Sequence, residues 1–151
     1  MTAGYSGTPL AKKLGLKDGQ RTWWSNMPPA VRGEIEAAVL TLLHLRWPEA
    51  PIDAAHVFVT RRIELEAAVS DLRPRLAPAG FLWVSWPKKT SPLAGEVTED
   101  EVRRAALPTG LVDIKVCAVD DTWSGLKLVI RRDQRLAHEA ALAGAAPSMR
   151  S

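Results

Sequence analysis

The sequence predicts an α/β fold with a mostly parallel sheet of about five strands, helices on both faces and an antiparallel hairpin at the end. Helical and strand patterns alternate along most of the chain, which favours parallel strands joined by right-handed crossovers. The apolar run Phe81–Trp86 is continuous, as in a strand covered on both faces. Two later runs, 111–119 and 126–131, alternate in polarity around a short loop, which is typical of a hairpin.

The first elements are predicted from cap, turn and periodicity signals. A proline after a threonine begins the predicted helix Pro9–Leu14, which Gly15 ends. The first strand is predicted over Gln20–Asn26, and two prolines follow it closely. A long helix is predicted over about Ala30–Leu45, because apolar residues recur there at helical spacing.

The central elements follow in alternation. They are predicted as a strand over Asp53–Val59, a helix from Thr60 to about Arg73, the strand Phe81–Trp86 and a helix over about Glu99–Leu107. The last helix is predicted from the capping-box spacing of Thr98 and Glu101. The turn Pro78-Ala79-Gly80 is predicted to lead into the central strand.

Length and composition indicate one soluble domain. Of the 151 residues, we expect 1–135 to form a single α/β domain and 136–151 to form a partly helical or disordered tail. The lone cysteine, Cys117, excludes an intramolecular disulfide, and the N-terminus lacks an apolar signal core. We therefore expect a cytoplasmic protein without contact with a membrane.

The charge and the aromatic residues give weaker indications. The net charge of +3 is mildly basic, but the cations neither follow one helix nor alternate with stacking aromatics, so nucleic-acid binding is not the leading hypothesis. The chain has six tryptophans, and most are expected to fill the core. Trp86 and Trp123 are the two that best fit the alternative of an aromatic-lined pocket.

Polar residues are predicted to meet at the carboxyl edge of the sheet, where open α/β folds bind ligands. These candidates are Ser25, Asn26, Arg61, Arg62, Lys88, Lys89, Ser91, Asp120, Asp121, Trp123 and Ser124. Arg61 and Arg62 fall in the first turn of a predicted helix, where the helix dipole disfavours cations by about 0.3–1 kcal/mol each. The four cations predict an anion or partner site. The alternative is a set of surface ion pairs of Asp120 and Asp121 with Lys88 and Lys89.

No motif in the chain identifies a catalytic centre or a metal site. There is no phosphate-binding P-loop, no Cys-x-x-Cys and no His-Glu-x-x-His, and Gly4-Tyr5-Ser6-Gly7 is too short for a nucleophile elbow. His56 lies in a predicted strand and is interpreted as a satisfied core residue. Cys117 is interpreted as a partly buried thiol. We therefore predict no metal site, and the motifs assign no catalytic residue.

Two resemblances accompany these patterns. The hairpin at the end of a parallel sheet and the run Leu76–Val84 resemble the C-terminal half of class I S-adenosylmethionine-dependent methyltransferases. Three segments, GYSGTPL at 4–10, WVSWPKK at 83–89 and VCAVDDTWSGLK at 116–127, resemble a bacterial family of unknown function, domain-of-unknown-function family 3052. The chain departs from the expected aliphatic first strand at Thr22-Trp23-Trp24-Ser25. The resemblance implies a Rossmann-like scaffold and transfers no catalytic residue.

The first loop argues against the methyltransferase cofactor. A loop that cradles this kind of ligand needs glycines, yet none lies between Gln20 and Arg32, and Pro28 and Pro29 lack N–H donors. The helix predicted over Ala30–Leu45 also replaces the second strand, whose end would supply an acidic residue to the ribose. We therefore predict no cofactor.

Three hypotheses for function remain. The leading one is a non-catalytic binding or regulatory module that recognises a protein partner or a small anionic ligand. The second is a small enzyme for an anionic substrate, with Lys88 or Lys89 stabilising charge and Asp120 as a base. The third is a weak nucleic-acid binder, which a steep salt dependence of binding would favour.

Overall fold

The protein is described from a computed structural model, which covers the backbone of residues 7–150 and the side chains of residues 7–144. Residues 4–6 of the segment GYSGTPL lie outside this range. The helices are α1 (Leu10–Lys13), α2 (Pro29–Glu36), α3 (Arg62–Leu72), α4 (Glu99–Ala106) and α5 (Arg135–Arg150). The strands are β1 (Arg21–Ser25), β2 (Leu43–His44), β3 (Ile52–Phe58), β4 (Leu76–Pro87), β5 (Leu111–Ala118) and β6 (Trp123–Ile130).

The six strands form one sheet in the order β2-β1-β3-β4-β6-β5. The first four strands run parallel, and β6 runs antiparallel to both β4 and β5. The predicted mixed α/β sheet with a terminal antiparallel hairpin is therefore confirmed. The chain moves outward from β1 to β2 and then crosses back to β3, so a change of direction falls between β1 and β3. In open α/β sheets, ligands bind at this point, beyond the carboxyl ends of the strands.

The predicted helix over Ala30–Leu45 is wrong in its second half. The helix α2 ends at Glu36, Val39 adopts a left-handed backbone with φ of 54°, and β2 then pairs in parallel with β1. Leu42 packs on one face of the sheet and Leu45 on the other. This alternation of apolar contacts belongs to an extended segment, so tertiary packing overrides the helical spacing of the leucines.

The central strand β4 separates two hydrophobic cores. Leu82 and Val84 point into the core beneath α3 and α4, whereas Phe81 and Trp83 point into the core beneath α1 and α2. Every residue from Phe81 to Pro87 is buried. The predictions of a doubly covered strand and of helices on both faces are thus confirmed.

Strand β4 begins earlier than predicted, at Leu76, which pairs with Ile52 of β3. The predicted turn Pro78-Ala79-Gly80 lies inside the strand, in the stretch between the paired residues Leu76 and Phe81. A Cβ atom on Gly80 would lie 2.6 Å from the carbonyl oxygen of Ile52, so the backbones approach each other too closely for a side chain. The register of β3 and β4 also shifts between Ile52 and Ala54. Glycine therefore permits the strand to extend through a local irregularity.

The hairpin β5–β6 contains a bulge at Ile114, because the register shifts between Asp113 and Lys115. Plain alternation places Val112, Ile114 and Val116 on one face, but the extra residue breaks this pattern. Val112 packs in the core beneath α1, whereas Ile114 and Val116 are about half exposed at the edge of the sheet.

The C-terminal helix α5 docks through its first turns. Its His138 is buried, and its Nε2 lies 2.6 Å from the carbonyl oxygen of Leu76 at the start of β4. The helix runs over Arg135–Arg150, and the predicted domain boundary at residue 135 remains a prediction. Among the residues that the structure describes, no helix is long and apolar enough to cross a membrane.

Candidate functional site at the carboxyl edge of the sheet

Parallel pairing brings the predicted candidates to one end of the sheet. Ser25 pairs with Val57, Phe58 pairs with Ser85, and Trp86 pairs with Ser124. The loops after β1, β3 and β4 and the loop before β6 therefore leave the sheet at the same edge. The tertiary structure then distributes the candidates among different surroundings.

Lys88, Lys89 and Ser124 line one open cleft of about 410 Å³, called here the edge cleft. Its other lining residues are Trp86, Pro87, Val97, Thr98, Glu99 and Asp100. Neither lysine forms an ion pair among the described residues, and the backbone N–H of Lys88 donates to the carbonyl of Thr122 at 2.8 Å. The cleft thus has two ammonium groups and two carboxylates in its lining, which makes it a mixed-charge surface.

The acidic side of the edge cleft was not among the predicted site residues. Glu99 and Asp100 stand in the first turn of α4, whose N-cap Thr98 accepts a hydrogen bond from the backbone N–H of Glu101 at 3.3 Å. Both carboxylates also pair with Arg103, at 2.5 and 3.5 Å. The capping signal at Thr98 could have located them, because the helix that follows β4 must start at the carboxyl edge.

Arg62 belongs to a different environment from the lysines. Its guanidinium Nε donates to Glu101 at 3.1 Å, and it lines a separate cleft of about 230 Å³ between α3 and α4. The structure therefore does not place the four predicted cations in one cleft. Arg61 is exposed at the N-cap of α3.

Carboxylates explain why cations are tolerated at the start of α3. Glu64 Oε1 accepts from the backbone N–H groups of Thr60 and Arg61, each at 3.0 Å. Glu96 accepts from the backbone N–H of Arg62 at 3.0 Å. The pKa of Glu64 lies below its usual value, chiefly because the carboxylate accepts the backbone hydrogen bond of Thr60. Three backbone N–H groups at the start of α3 are therefore already bound by the protein's own acids.

Asp120 shapes the turn between β5 and β6. Its Oδ1 accepts from the backbone N–H groups of Thr122 and Trp123, both at 2.8 Å. No ion pair joins Asp120 or Asp121 to Lys88 or Lys89 among the described residues. The main task of the Asp120 carboxylate here is an Asx-type turn.

Trp123 and Ser91 take structural positions near the edge. Trp123 is only 8% exposed, and its ring packs edge-on against Phe58 at 5.1 Å between centroids. Ser91 Oγ accepts from the backbone N–H of Leu93 at 3.0 Å in the loop after β4. Of the two tryptophans considered for an aromatic-lined pocket, Trp86 lines the edge cleft and Trp123 fills the core beside it.

The loop between β1 and α2 is short and proline-rich. Asn26 is exposed with φ of 58°, and Pro28 serves as N-cap with Pro29 as the first helical residue. The N–H groups of Val31 and Arg32 both donate to the carbonyl of Pro28. Few backbone donors are thus left to point out of the sheet at this position.

A buried pair, His56 and Ser85, lies deeper beneath the edge. His56 Nε2 is 2.7 Å from Ser85 Oγ, and the ring stacks on Phe58 with centroids 4.4 Å apart. Complete burial lowers the pKa of His56 to about 3. His56 is only 3% exposed and Ser85 is fully buried, so the pair is a core hydrogen bond without access to a substrate.

Cys117 on β5 is half-buried, and burial raises the pKa of its thiol. The thiolate is therefore disfavoured, which agrees with an unreactive cysteine. Among the described residues, no group of three or more histidine, cysteine, aspartate or glutamate side chains is arranged to hold a metal ion.

The fold is similar to solved methyltransferase structures. A SAM dependent methyltransferase from Aquifex aeolicus superimposes with a TM-score of 0.57 and 14% identity, over 80% of this chain and 88% of that one. A ribosomal protein L11 methylase from Lactobacillus delbrueckii subsp. bulgaricus gives a TM-score of 0.50 and 10% identity, over 82% of this chain and 75% of that one. At these identities the likeness shows a methyltransferase-like fold.

The sequence comparisons give the family. The search of curated proteins finds no match. The family model described as "Protein of unknown function (DUF3052)" matches residues 11–132, a range that runs from α1 to the residues just after β6. Two of the three segments that resembled this family, 83–89 and 116–127, fall within the match. The chain therefore belongs to the family of proteins of unknown function DUF3052.

Proposed function

We propose that this protein is a non-catalytic binding or regulatory module, built on a methyltransferase-like scaffold that does not hold S-adenosylmethionine. The observation that carries the proposal is the β1–α2 loop. In this fold class, the loop after the first strand approaches the cofactor through glycine backbone and free N–H groups. Here no glycine lies between Gln20 and Arg32, Pro28 and Pro29 at the helix start have no N–H, and the N–H groups of Val31 and Arg32 are used within the helix.

The end of β2 supports the same conclusion. An acidic side chain at the end of the second strand would accept hydrogen bonds from a ribose. The residues after β2 are Leu45, Arg46 and Trp47, so a cation stands where a carboxylate is needed. The nearby acids Glu49 and Asp53 are bound to the side chain and backbone of Arg21 at the other end of the sheet.

The backbone N–H groups just after β3 are already engaged. The N–H groups of Thr60, Arg61 and Arg62 are capped by Glu64 and Glu96. Phe58, the last residue of β3, is covered by Trp123. The residues present at the ends of β1, β2 and β3 thus do not fit the adenosyl cofactor that the fold suggests.

The edge cleft is the proposed binding surface of the module. Within the described part of the chain its lysines form no ion pair with a carboxylate, and its lining also includes Glu99 and Asp100. A small anionic ligand, or a protein partner that presents both charges, suits this arrangement. The hypothesis of an enzyme with Asp120 as base has less support, because that carboxylate accepts two backbone hydrogen bonds in its own turn.

Calorimetry tests the absence of cofactor binding. Titration with S-adenosylmethionine and with S-adenosylhomocysteine should give no binding heat. A dissociation constant below about 100 μM, near −5.5 kcal/mol, would overturn the proposal. Because weak heats can hide binding, the melting temperature should be measured in parallel, since a ligand of the native state raises it by mass action.

A further inference from the structure

The lysines of this protein differ from its arginines in their ion pairing. Each of the nine ion pairs in the described part of the chain uses an arginine, and none uses any of the seven lysines. Four lysines lie near one another, at and after the end of α1 and on the neighbouring strands β5 and β6. They are Lys13, Lys17, Lys115 and Lys127, called here the lysine face.

Hydrogen bonds hold the lysine face together. Lys13 Nζ donates to the carbonyl of Ala118 at 3.0 Å, and Lys115 Nζ donates to the carbonyl of Lys13 at 2.8 Å. Each bond uses one ammonium hydrogen and leaves two for other acceptors. The end of α1 is thereby tied to β5 by cationic side chains.

The bulge at Ile114 turns Lys115 towards this face. Asp113 faces α4, where its carboxylate binds Arg103 at 3.0 Å. Without the bulge, the period of two would place Lys115 beside Asp113. The extra residue instead pairs Lys115 with Lys127 on β6. Like charges directly opposite on neighbouring strands are destabilising, so this pairing works against the fold.

The ammonium group of Lys127 is partly buried and lies close to other groups of the protein. Its Nζ lies 4.3 Å from the centroid of the Phe81 ring and next to Gly15, where an added Cβ would be 2.9 Å away. Its pKa is lowered by burial first and then by the charges of Lys115 and Lys17. Among the residues that the structure describes, no carboxylate forms an ion pair with Lys127. A half-buried ammonium surrounded by cations gains most from an anion.

We infer that the lysine face binds phosphate groups, supplied by a nucleic-acid backbone or by a small polyphosphate. Lysine contacts phosphate as a hydrated point charge and requires no fixed plane, which suits four flexible side chains. Local costs in folding free energy, such as the repulsion between Lys115 and Lys127, occur in proteins at functional sites. The lysine face is distinct from the edge cleft, so this inference does not depend on the function proposed above.

Salt dependence of binding tests the inference. The probe is a labelled oligodeoxythymidine of about 12 nucleotides, followed by fluorescence anisotropy from about 20 to 200 mM salt. Four phosphate contacts predict that log K falls against log salt with a slope of about −3. Lys115→Gln with Lys127→Gln should weaken binding at least about tenfold at low salt and reduce the slope by about 1.4.

A control variant separates the effect of the lysine face from the effect of the protein's net charge. Arg46→Gln with Arg132→Gln removes the same charge from exposed residues elsewhere and should leave the slope near that of the parent. The melting temperature of the Lys115/Lys127 variant checks that it is folded under the assay conditions, because the change removes the Lys115–Lys13 hydrogen bond as well as the repulsive pair. Should that variant fail to fold, the exposed single change Lys17→Gln must still reduce the slope by about 0.7.

Competitors distinguish the source of the phosphate. Displacement of the probe by tripolyphosphate assigns the face to small polyphosphates, and resistance to it assigns the face to nucleic acid. Either result supports the inference. Three results would overturn it: no salt-dependent binding by the parent, equal loss in the arginine control, or equal displacement by polyglutamate.

Discussion

Arg73 and His138 join the end of α3 to the C-terminal helix. Arg73 Nη1 donates to His138 Nδ1 at 2.9 Å, while the opposite nitrogen of the ring bonds to the carbonyl of Leu76. This arrangement defines the Nε2–H tautomer of the imidazole. Arg73 also donates to Gln134 and to the carbonyl of Thr109, both at 2.9 Å. The two residues thus connect α5 to the body of the domain.

His138→Ala should loosen α5 without unfolding the sheet. The change removes two buried hydrogen bonds, one of them to a charged group, and should cost about 1–3 kcal/mol of unfolding free energy. Urea denaturation measures the loss, and hydrogen exchange should show faster exchange in α5 than in β4. Glu139→Ala, an exposed change on the same helix, is the control. Equal protection of α5 in both variants would contradict this role of His138.

The lowered pKa of the buried His56 predicts that the free energy of unfolding falls in mild acid. Its folded pKa, about 3, lies below the unfolded value of 6.5, so the unfolded chain binds the proton more readily between these pH values. The stabilisation is therefore complete above pH 6.5 and is lost as the pH falls towards 3. Between pH 7 and pH 5 the expected loss is about 2 kcal/mol.

His56→Gln tests this assignment, because glutamine can still bond to Ser85 and does not titrate. The variant should show a shallower dependence of unfolding free energy on pH, whatever its absolute stability. His44→Gln is the matched control, since His44 is exposed and only partly desolvated. An unchanged pH dependence in the His56 variant would show that other groups control the acid response.

Val84→Asp should prevent folding. Val84 is fully buried at the centre of β4, and a carboxylate there would have no partner. Circular dichroism and gel filtration should report an unfolded or aggregated chain. Val116→Asp places the same charge on the exposed edge strand and should leave a folded protein. A soluble Val84 variant with the parent's melting temperature would reject the central placement of β4.

Lys88→Ala with Lys89→Ala should separate binding from stability at the edge cleft. Both side chains lack ion pairs in the described part of the chain, so the double change should cost at most about 0.5 kcal/mol per site. Phosphate, sulfate or nucleotides should raise the melting temperature of the Lys115/Lys127 variant, and should no longer raise it when Lys88→Ala and Lys89→Ala are added to that variant. Equal thermal responses with and without the added changes would show that Lys88 and Lys89 are ordinary surface charges.

The sequence by itself determined the fold class, because the patterns that predict this class are local ones. The continuous apolar run at Phe81–Trp86, the capping signal at Thr98 and the alternating runs around Asp120 each have a short-range physical cause. The helix predicted over Ala30–Leu45 failed beyond Glu36 for the complementary reason. Its leucines satisfy a helical spacing as well as an extended one, and only the neighbouring strand β1 decides between them.

Tertiary structure alone decided the surroundings of the charged residues. Its position at a strand end led us to group Arg62 with Lys88. In the structure Arg62 instead binds Glu101, which is 39 residues later in the chain, and lines another cleft. Lys13 and Lys115 are 102 residues apart and meet only because a one-residue bulge reverses the direction of Lys115. Coulombic interactions depend on distance in space, which periodicity along the chain does not encode. The edge cleft and the lysine face are therefore properties of the folded chain.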